Sequence, residues 1–178
     1  MAPVVIEGYL TQQKLSDALK RIVGKRWGGE EVKAEEGSRK RWDMVFRTTE
    51  GTTVVEYDGD EHYCNTLKIK TDREKEKIAQ RHAWRVVRFP YWVQLTTTTL
   101  AHYFGLTSRI EQDFPHGFIT TKWFPASFCE MGVERFRSEL LGLPNVVRGE
   151  VLRSLKDRVV EHGIEYVLPT ALRFLVKG

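Results

Sequence analysis

Residues 39–59 read RKRWDMVFRTTEGTTVVEYDG, and the architecture turns on how this stretch pairs with itself. Trp42, Met44 and Phe46 alternate with Asp43, Val45 and Arg47. After TTEG, Val55 and Tyr57 alternate with Glu56 and Asp58. A period of two on both sides of a short loop ending in glycine predicts a β-hairpin, with strands near 41–47 and 52–58. If Thr48 to Gly51 is the loop, Asp43 falls opposite Glu56, Arg41 opposite Asp58 and Val45 opposite Val54. Opposed side chains project from the same face, with Cβ atoms about 4.5–5.5 Å apart. One face is then expected to bury Trp42, Met44, Phe46, Val55 and Tyr57, and the other to gather Asp43, Glu56 and Asp58. A one-residue slip would reverse the faces, so the apolar set supports the register independently of the loop.

Carboxylates placed directly opposite one another destabilise a hairpin, so something should compensate for Asp43 and Glu56. Two readings follow. In the first, the face is solvated and Arg39 and Arg41 neutralise it. In the second, the oxygens hold a hard divalent cation, Mg²⁺ or Mn²⁺, which can polarise a phosphoryl oxygen and activate water. The acidic run continues through Asp60 and Glu61 to His62, a side chain suited to general base catalysis near neutral pH.

Outward from the hairpin, Leu15, Ala18, Leu19, Ile22 and Val23 form one apolar helical face, with Thr11 as N-cap and Gly24 as stop. A charged helix is expected over 70–82, a strand over 84–89 ended by Pro90, and a helix over 95–104. Residues 108–125 carry no clear period. Three helices near 133–141, 146–162 and 165–176 complete the chain. The order predicts an α/β fold with a mixed sheet flanked by helices, a core over 1–107 and a mostly helical extension over 108–178 packed on it. The extension is suited to target recognition or dimerisation.

The chain has 178 residues, 41% of them hydrophobic and 29% charged, which fits a soluble domain with a real core. No signal-peptide pattern and no apolar run long enough for a membrane span are visible. With two cysteines, Cys64 and Cys129, no disulfide framework is expected, and a cytoplasmic setting is. The net charge is +4, and it is clustered. Between Thr66 and Phe89 eight basic residues face three acidic ones, and Arg39, Lys40 and Arg41 form a second patch. Such clusters suit a polyanion or a solvated face. Trp27, Trp84, Trp92 and Trp123 either stack on bases or belong to the core.

Asp43 in WDMVF, EYDGDEH over 56–62, Asp72-Arg73 and RVVRF over 85–89 come in an order that resembles the PD-(D/E)XK nuclease superfamily, in particular the branch around the very-short-patch-repair endonuclease. The resemblance covers roughly residues 8–105. It implies a restriction-endonuclease-like core and a Mg²⁺-dependent endonuclease, with Mn²⁺ as substitute, acting on double-stranded DNA in restriction, repair or mobile-element processes. Asp43 matches the first metal-binding aspartate and Glu56 the second acidic position. Asp58 stands where the commoner pattern has a lysine. The catalytic set implied is Asp43, Glu56, Asp58 and His62, with Lys68 or Lys70 as replacements for the missing lysine. Glu7 or Asp17 is a candidate for an additional carboxylate from the N-terminal helix. Phosphate contacts are expected from Arg39, Lys40, Arg41, Lys68, Lys70, Arg73 and Lys75, and a homodimer would suit a palindromic target. The alternative is a nuclease-like module that binds DNA or assembles without chemistry. Only the resemblance favours DNA over RNA.

Overall fold

The computed structural model describes residues 2–113 and 117–177. Its centre is a four-stranded sheet in the order β2-β3-β4-β5, formed by Trp27–Lys33, Arg41–Thr48, Gly51–Asp58 and Arg85–Pro90. The first three strands run antiparallel, and β5 lies parallel to β4. Helix α3, Thr66–Arg81, makes the crossover between them, as a parallel connection requires. A separate parallel pair joins β1, Val4–Ile6, to β6, Ile110–Gln112.

The hairpin register is the one expected. Val45 pairs with Val54, Met44 with Val55 and Phe46 with Thr53. The loop is tighter than expected, because Thr48 still pairs with Gly51. Gly51 has φ 130°, a value that favours glycine at this corner.

Helices cover both faces of the sheet. Met44, Phe46, Val55, Val87 and Phe89 share one core with Leu15 and Leu19 of α1, Gln12–Val23, and with Phe136, Leu140, Val147, Val151 and Leu155 from the C-terminal helices. These are α5, Glu130–Gly142, and α6, Asn145–His162. The extension therefore packs into the same core as the hairpin. The opposite face carries Val54 with Ile78 and Ala79 of α3. Helix α1 has the expected ends: Thr11 Oγ1 accepts the Lys14 N–H, and Gly24 sits at φ 57°.

Several expectations need correction. Trp42 does not join Met44 and Phe46. It packs with Ala34, Val54, Ile78 and Ala79 beneath α3. The β3–β4 pairing stops at Met44 and Val55, and past that point β3 pairs with β2 alone, Trp42 opposite Val32. Helix α3 begins before residue 70, because the Asn65 side chain caps it by accepting the N–H groups of Leu67 and Lys68. The last expected helix is broken: α7, Ile164–Val167, ends before Pro169 and a 3₁₀ turn follows. Strand β2 was not anticipated because its WGGEEVK sequence is rich in glycine. Gly28 leaves room there, since a Cβ would stand 3.0 Å from the Val45 carbonyl oxygen.

Candidate active site

Where the hairpin pairing ends, a side chain takes over from the ladder. The Tyr57 N–H donates to Asp43 Oδ2 at 2.7 Å. This bond fixes Asp43 beside β4, on the side of the sheet from which Glu56 projects toward α3. Glu56 is buried at 2% exposure. Its Oε1 accepts from the Lys75 ammonium of α3, which lies 4.7 Å from the centre of the Trp42 ring. The displacement of Trp42 toward α3 is thus part of the site, because its indole forms the wall along the lysine.

The electrostatics are those of two acids crowded together away from water. Burial raises the Asp43 pKa, against the Tyr57 N–H and Lys75, while Asp58 and Glu31 push it further up. Burial and then the Asp43 charge lift Glu56 to about 7, despite Lys75. The third carboxylate acting on Asp43 from beyond the hairpin is Glu31 of β2, between the paired residues Glu30 and Val32. The expected candidates Glu7 and Asp17 have hydrogen-bond partners in the N-terminal helix. Asp17 accepts from Gln13, and the Glu7 carbonyl accepts from Lys14.

Asp58 and His62 belong to a second, closed cluster. Asp58 is fully buried. Arg88 of β5 donates Nε to Oδ2 at 2.8 Å and Nη2 to Oδ1 at 2.7 Å, and Arg135 of α5 donates Nη2 to Oδ2. His62 Nδ1 is 2.7 Å from Asp72 Oδ2 and 3.1 Å from Asp58 Oδ1. Arg135 also reaches Asp72 and Glu139, and its guanidinium lies 4.9 Å from the Tyr63 ring centre. Burial alone would raise the Asp58 pKa, but Arg88, Arg135 and His62 outweigh it and hold the group at about 2. Asp72 is shifted down in the same way: burial opposes, and the His62 hydrogen bond and Arg88 prevail.

The two clusters therefore differ in kind. Asp58, His62 and Asp72 could supply three metal ligands, their ligand atoms lying within 4.8 Å of one another. Both carboxylates are already neutralised there by guanidinium groups, which an ion would have to displace. Asp43 and Glu56 carry an uncompensated charge instead. Among the described residues, Asp43 Oδ1 and Glu56 Oε2 have no hydrogen-bond donor, so hard oxygen donors remain available, as Mg²⁺ or Mn²⁺ requires. The expected catalytic group of Asp43, Glu56, Asp58 and His62 is thus divided by the structure into a carboxylate pair and a guanidinium-bound ion network.

The expected phosphate-binding residues are divided too. Arg39, Arg41, Lys70 and Arg73 are exposed, and Lys68 is half-buried. Lys40 is paired with Glu74 at 2.7 Å, and Arg41 donates to the Glu31 carbonyl at 2.6 Å. Lys75 is the correction: at 6% exposure it faces Glu56 and cannot track a phosphate backbone from the helix surface. The tryptophans are largely core. Trp92 is buried, Trp27 and Trp123 pack on the main cluster and Trp84 on the α3 side.

The sequence points to Lys75 only as a surface phosphate contact, and not to Arg88 or Arg135 as site residues. A signal existed for Lys75. Ile69, Asp72, Lys75, Ile78 and Ala79 recur at helical spacing and form the buried stripe of α3, and a lysine inside such a stripe is not a solvated one. Arg135 has a local partner in Glu139, but its partners in the cluster, Asp72 and Asp58, lie 63 and 77 positions away in the chain.

The fold and site define a mixed α/β protein with a paired carboxylate centre beside a helix-borne lysine. Compared with models of known protein families, with curated proteins and with solved structures, the chain matches none. No helix among the described residues is long and apolar enough to cross a membrane.

Proposed function

We propose that this protein is a Mg²⁺-dependent endonuclease with a core of the restriction-endonuclease type, hydrolysing phosphodiester bonds of double-stranded DNA. One observation carries the reading: Glu56, buried, and Asp43, half-buried, repel one another where the β3–β4 ladder opens, each with a carboxylate oxygen that accepts from no donor among the described residues. Proteins rarely keep two such acids together unless function needs them. The donor set suits a hard cation, which Asp43 and Glu56 would hold. Such an ion supplies Lewis acidity to the phosphodiester and its nucleophile.

The chain's own residues prepare the rest. The Tyr57 N–H aims the Asp43 carboxylate. The ion network of Asp58, Arg88, Arg135, His62 and Asp72 ties the end of β4 to β5, α3 and α5, so that Glu56 is presented from a rigid edge. Arg39, Arg41, Lys70 and Arg73 lie exposed and can bind backbone phosphates, which position DNA without reading its sequence. His62 has its Nδ1 committed to Asp58 and Asp72, so it joins the ion network that backs the carboxylate pair.

The test is incubation with supercoiled plasmid in Mg²⁺ or in EDTA. Nicked or linear DNA appearing only with Mg²⁺ is the expected result. DNA bound equally well in both and left intact would favour a module whose chemistry has been lost, and sink the nuclease reading.

A further inference from the structure

We infer that Cys64 and Cys129 form a dithiol site that hydroperoxides convert to a reversible disulfide, tying helix α5 to α2, Glu61–Cys64, whatever reaction the carboxylate pair serves.

The backbone brings the two thiols together. The Cys129 N–H donates to the Tyr63 carbonyl at 3.1 Å, and Cys64 follows Tyr63 directly. With standard backbone dimensions, one such bond leaves the Cα atoms of Cys64 and Cys129 at most about 7 Å apart, within reach of a disulfide. The residues beside them are packed ring on ring: Tyr63 and Phe128 stack with centroids 4.9 Å apart. Gly132, one turn along α5, presses on the same carbonyl, which a Cβ would meet at 1.8 Å. The two segments are thus held side by side, and side-chain rotation is the main movement that closure requires.

The thiols are placed for reaction. Both are free and half-buried, open to a small peroxide. The Ser127 hydroxyl gives its proton to the Phe124 carbonyl at 2.8 Å, so Cys64 donates its S–H to Ser127 Oγ at 3.5 Å. That bond directs the Cys64 thiol toward the segment leading into Cys129. Burial pushes the Cys64 thiol up, against the Ser127 hydrogen bond, and Asp60, Cys129 and Glu61 add to it. Cys64 is therefore the resolving thiol, since the thiolate is the nucleophile. The Cys129 sulfur attacks one peroxide oxygen, the O–O bond breaks, and a sulfenic acid and water (or an alcohol) result. The Cys64 sulfur then attacks the Cys129 sulfur. The S–O bond breaks, and its oxygen leaves as water with the Cys64 proton. One peroxide is reduced by two electrons, one from each sulfur, and a thiol reductant reverses the bond. Closure constrains the unfolded chain from Cys64 to Cys129 and holds α5 where Arg135 reaches Asp58 and Asp72.

The experiment treats wild type, Cys64→Ser and Cys129→Ser with one equivalent of hydrogen peroxide. Free thiols are counted with Ellman's reagent, linked peptides are mapped without reductant, and melting is followed with and without dithiothreitol. We expect wild type to lose both thiols, to yield a peptide joining Cys64 to Cys129, and to recover both thiols in dithiothreitol. Closure should run at least about tenfold faster in the folded protein than in concentrated guanidinium, because folding raises the effective thiol concentration. The oxidised protein should melt about 5–10 °C higher than the reduced one. Neither variant should gain stability, and Cys64→Ser should keep a sulfenic acid that dimedone captures. Two thiols still free after treatment, links formed only between chains, or closure no faster in the folded protein would overturn the site. A melting temperature that falls on closure would overturn the clamp, because the bond would then be pulling α5 from its seat. These wild-type readings need neither variant to fold.

Discussion

At the scale of single residues, the two acids of the pair are not equivalent. Asp43 is crowded by Asp58 and Glu31 and itself acts on Glu56, and its hydrogen bond from Tyr57 can be accepted equally by an amide oxygen. Asp43→Asn should therefore leave the ion-free protein as stable as wild type or more so. Glu56→Gln removes the partner of a buried ammonium, and breaking such a pair typically costs about 3–5 kcal/mol. It should melt clearly lower, and melting curves in EDTA decide this. The same acids set a pH dependence. The folded protein holds a proton on Glu56 up to about 7, whereas the unfolded chain has released it above the ordinary glutamate value. Stability without metal should therefore fall as pH rises from about 4.5 toward 7. Asp58 works the other way. Held at about 2, it contributes stability that is complete above the ordinary aspartate value and is lost as pH falls toward 2. Melting in EDTA should thus be higher near pH 5 than near pH 8, and Mn²⁺ at pH 8 should raise it. A melting temperature that rises between pH 5 and 8 would contradict this account of the pair.

At the scale of elements, α5 locks onto the site through its smallest residue. A Cβ on Gly132 would lie 1.8 Å from the Tyr63 carbonyl oxygen, and the Cys129 N–H donates to that same oxygen at 3.1 Å. Gly132→Ala must therefore push α5 away from α2, Glu61–Cys64, and drag Arg135 off Asp58 and Asp72. A loss of at least about 1–3 kcal/mol is expected in denaturant unfolding, together with weaker cleavage. An unchanged midpoint would mean that α5 is not seated as described. Elements were legible in the sequence where local chemistry decides them. The hairpin register followed from Met44 to Val55 because alternation and a glycine-ended loop agreed, whereas the expected pairs Asp43–Glu56 and Arg41–Asp58 do not form, and α1 followed from Thr11, Gly24 and an apolar stripe. Trp42 was misplaced because the opening of the ladder at Asp43 depends on a side chain replacing a backbone partner. Strands β1, β2 and β6 were missed because two are short and one is glycine-rich, so distant pairing rather than propensity makes them strands. The site was half legible: Asp43 and Glu56 are local to the hairpin, while Arg88, Arg135 and Lys75 reach it from other elements.

At the scale of the whole molecule, a net charge of +4 and the exposed Arg39, Arg41, Lys70 and Arg73 should make DNA binding steeply salt-dependent. Replacing Arg73 by Gln should lower affinity evenly across DNA sequences and reduce the salt slope by about one. Lys75→Met should leave the slope unchanged, because a buried ammonium does not meet the backbone phosphates. An affinity insensitive to salt would remove this surface from the account. Everything else depends on a cation between Asp43 and Glu56. The most direct test is a Mn²⁺ titration in which free ion is counted by its paramagnetic resonance, for wild type beside Asp43→Asn. The account predicts saturable Mn²⁺ binding by wild type that Asp43→Asn loses while remaining folded. Equal binding by the two proteins, or none by either, would contradict it.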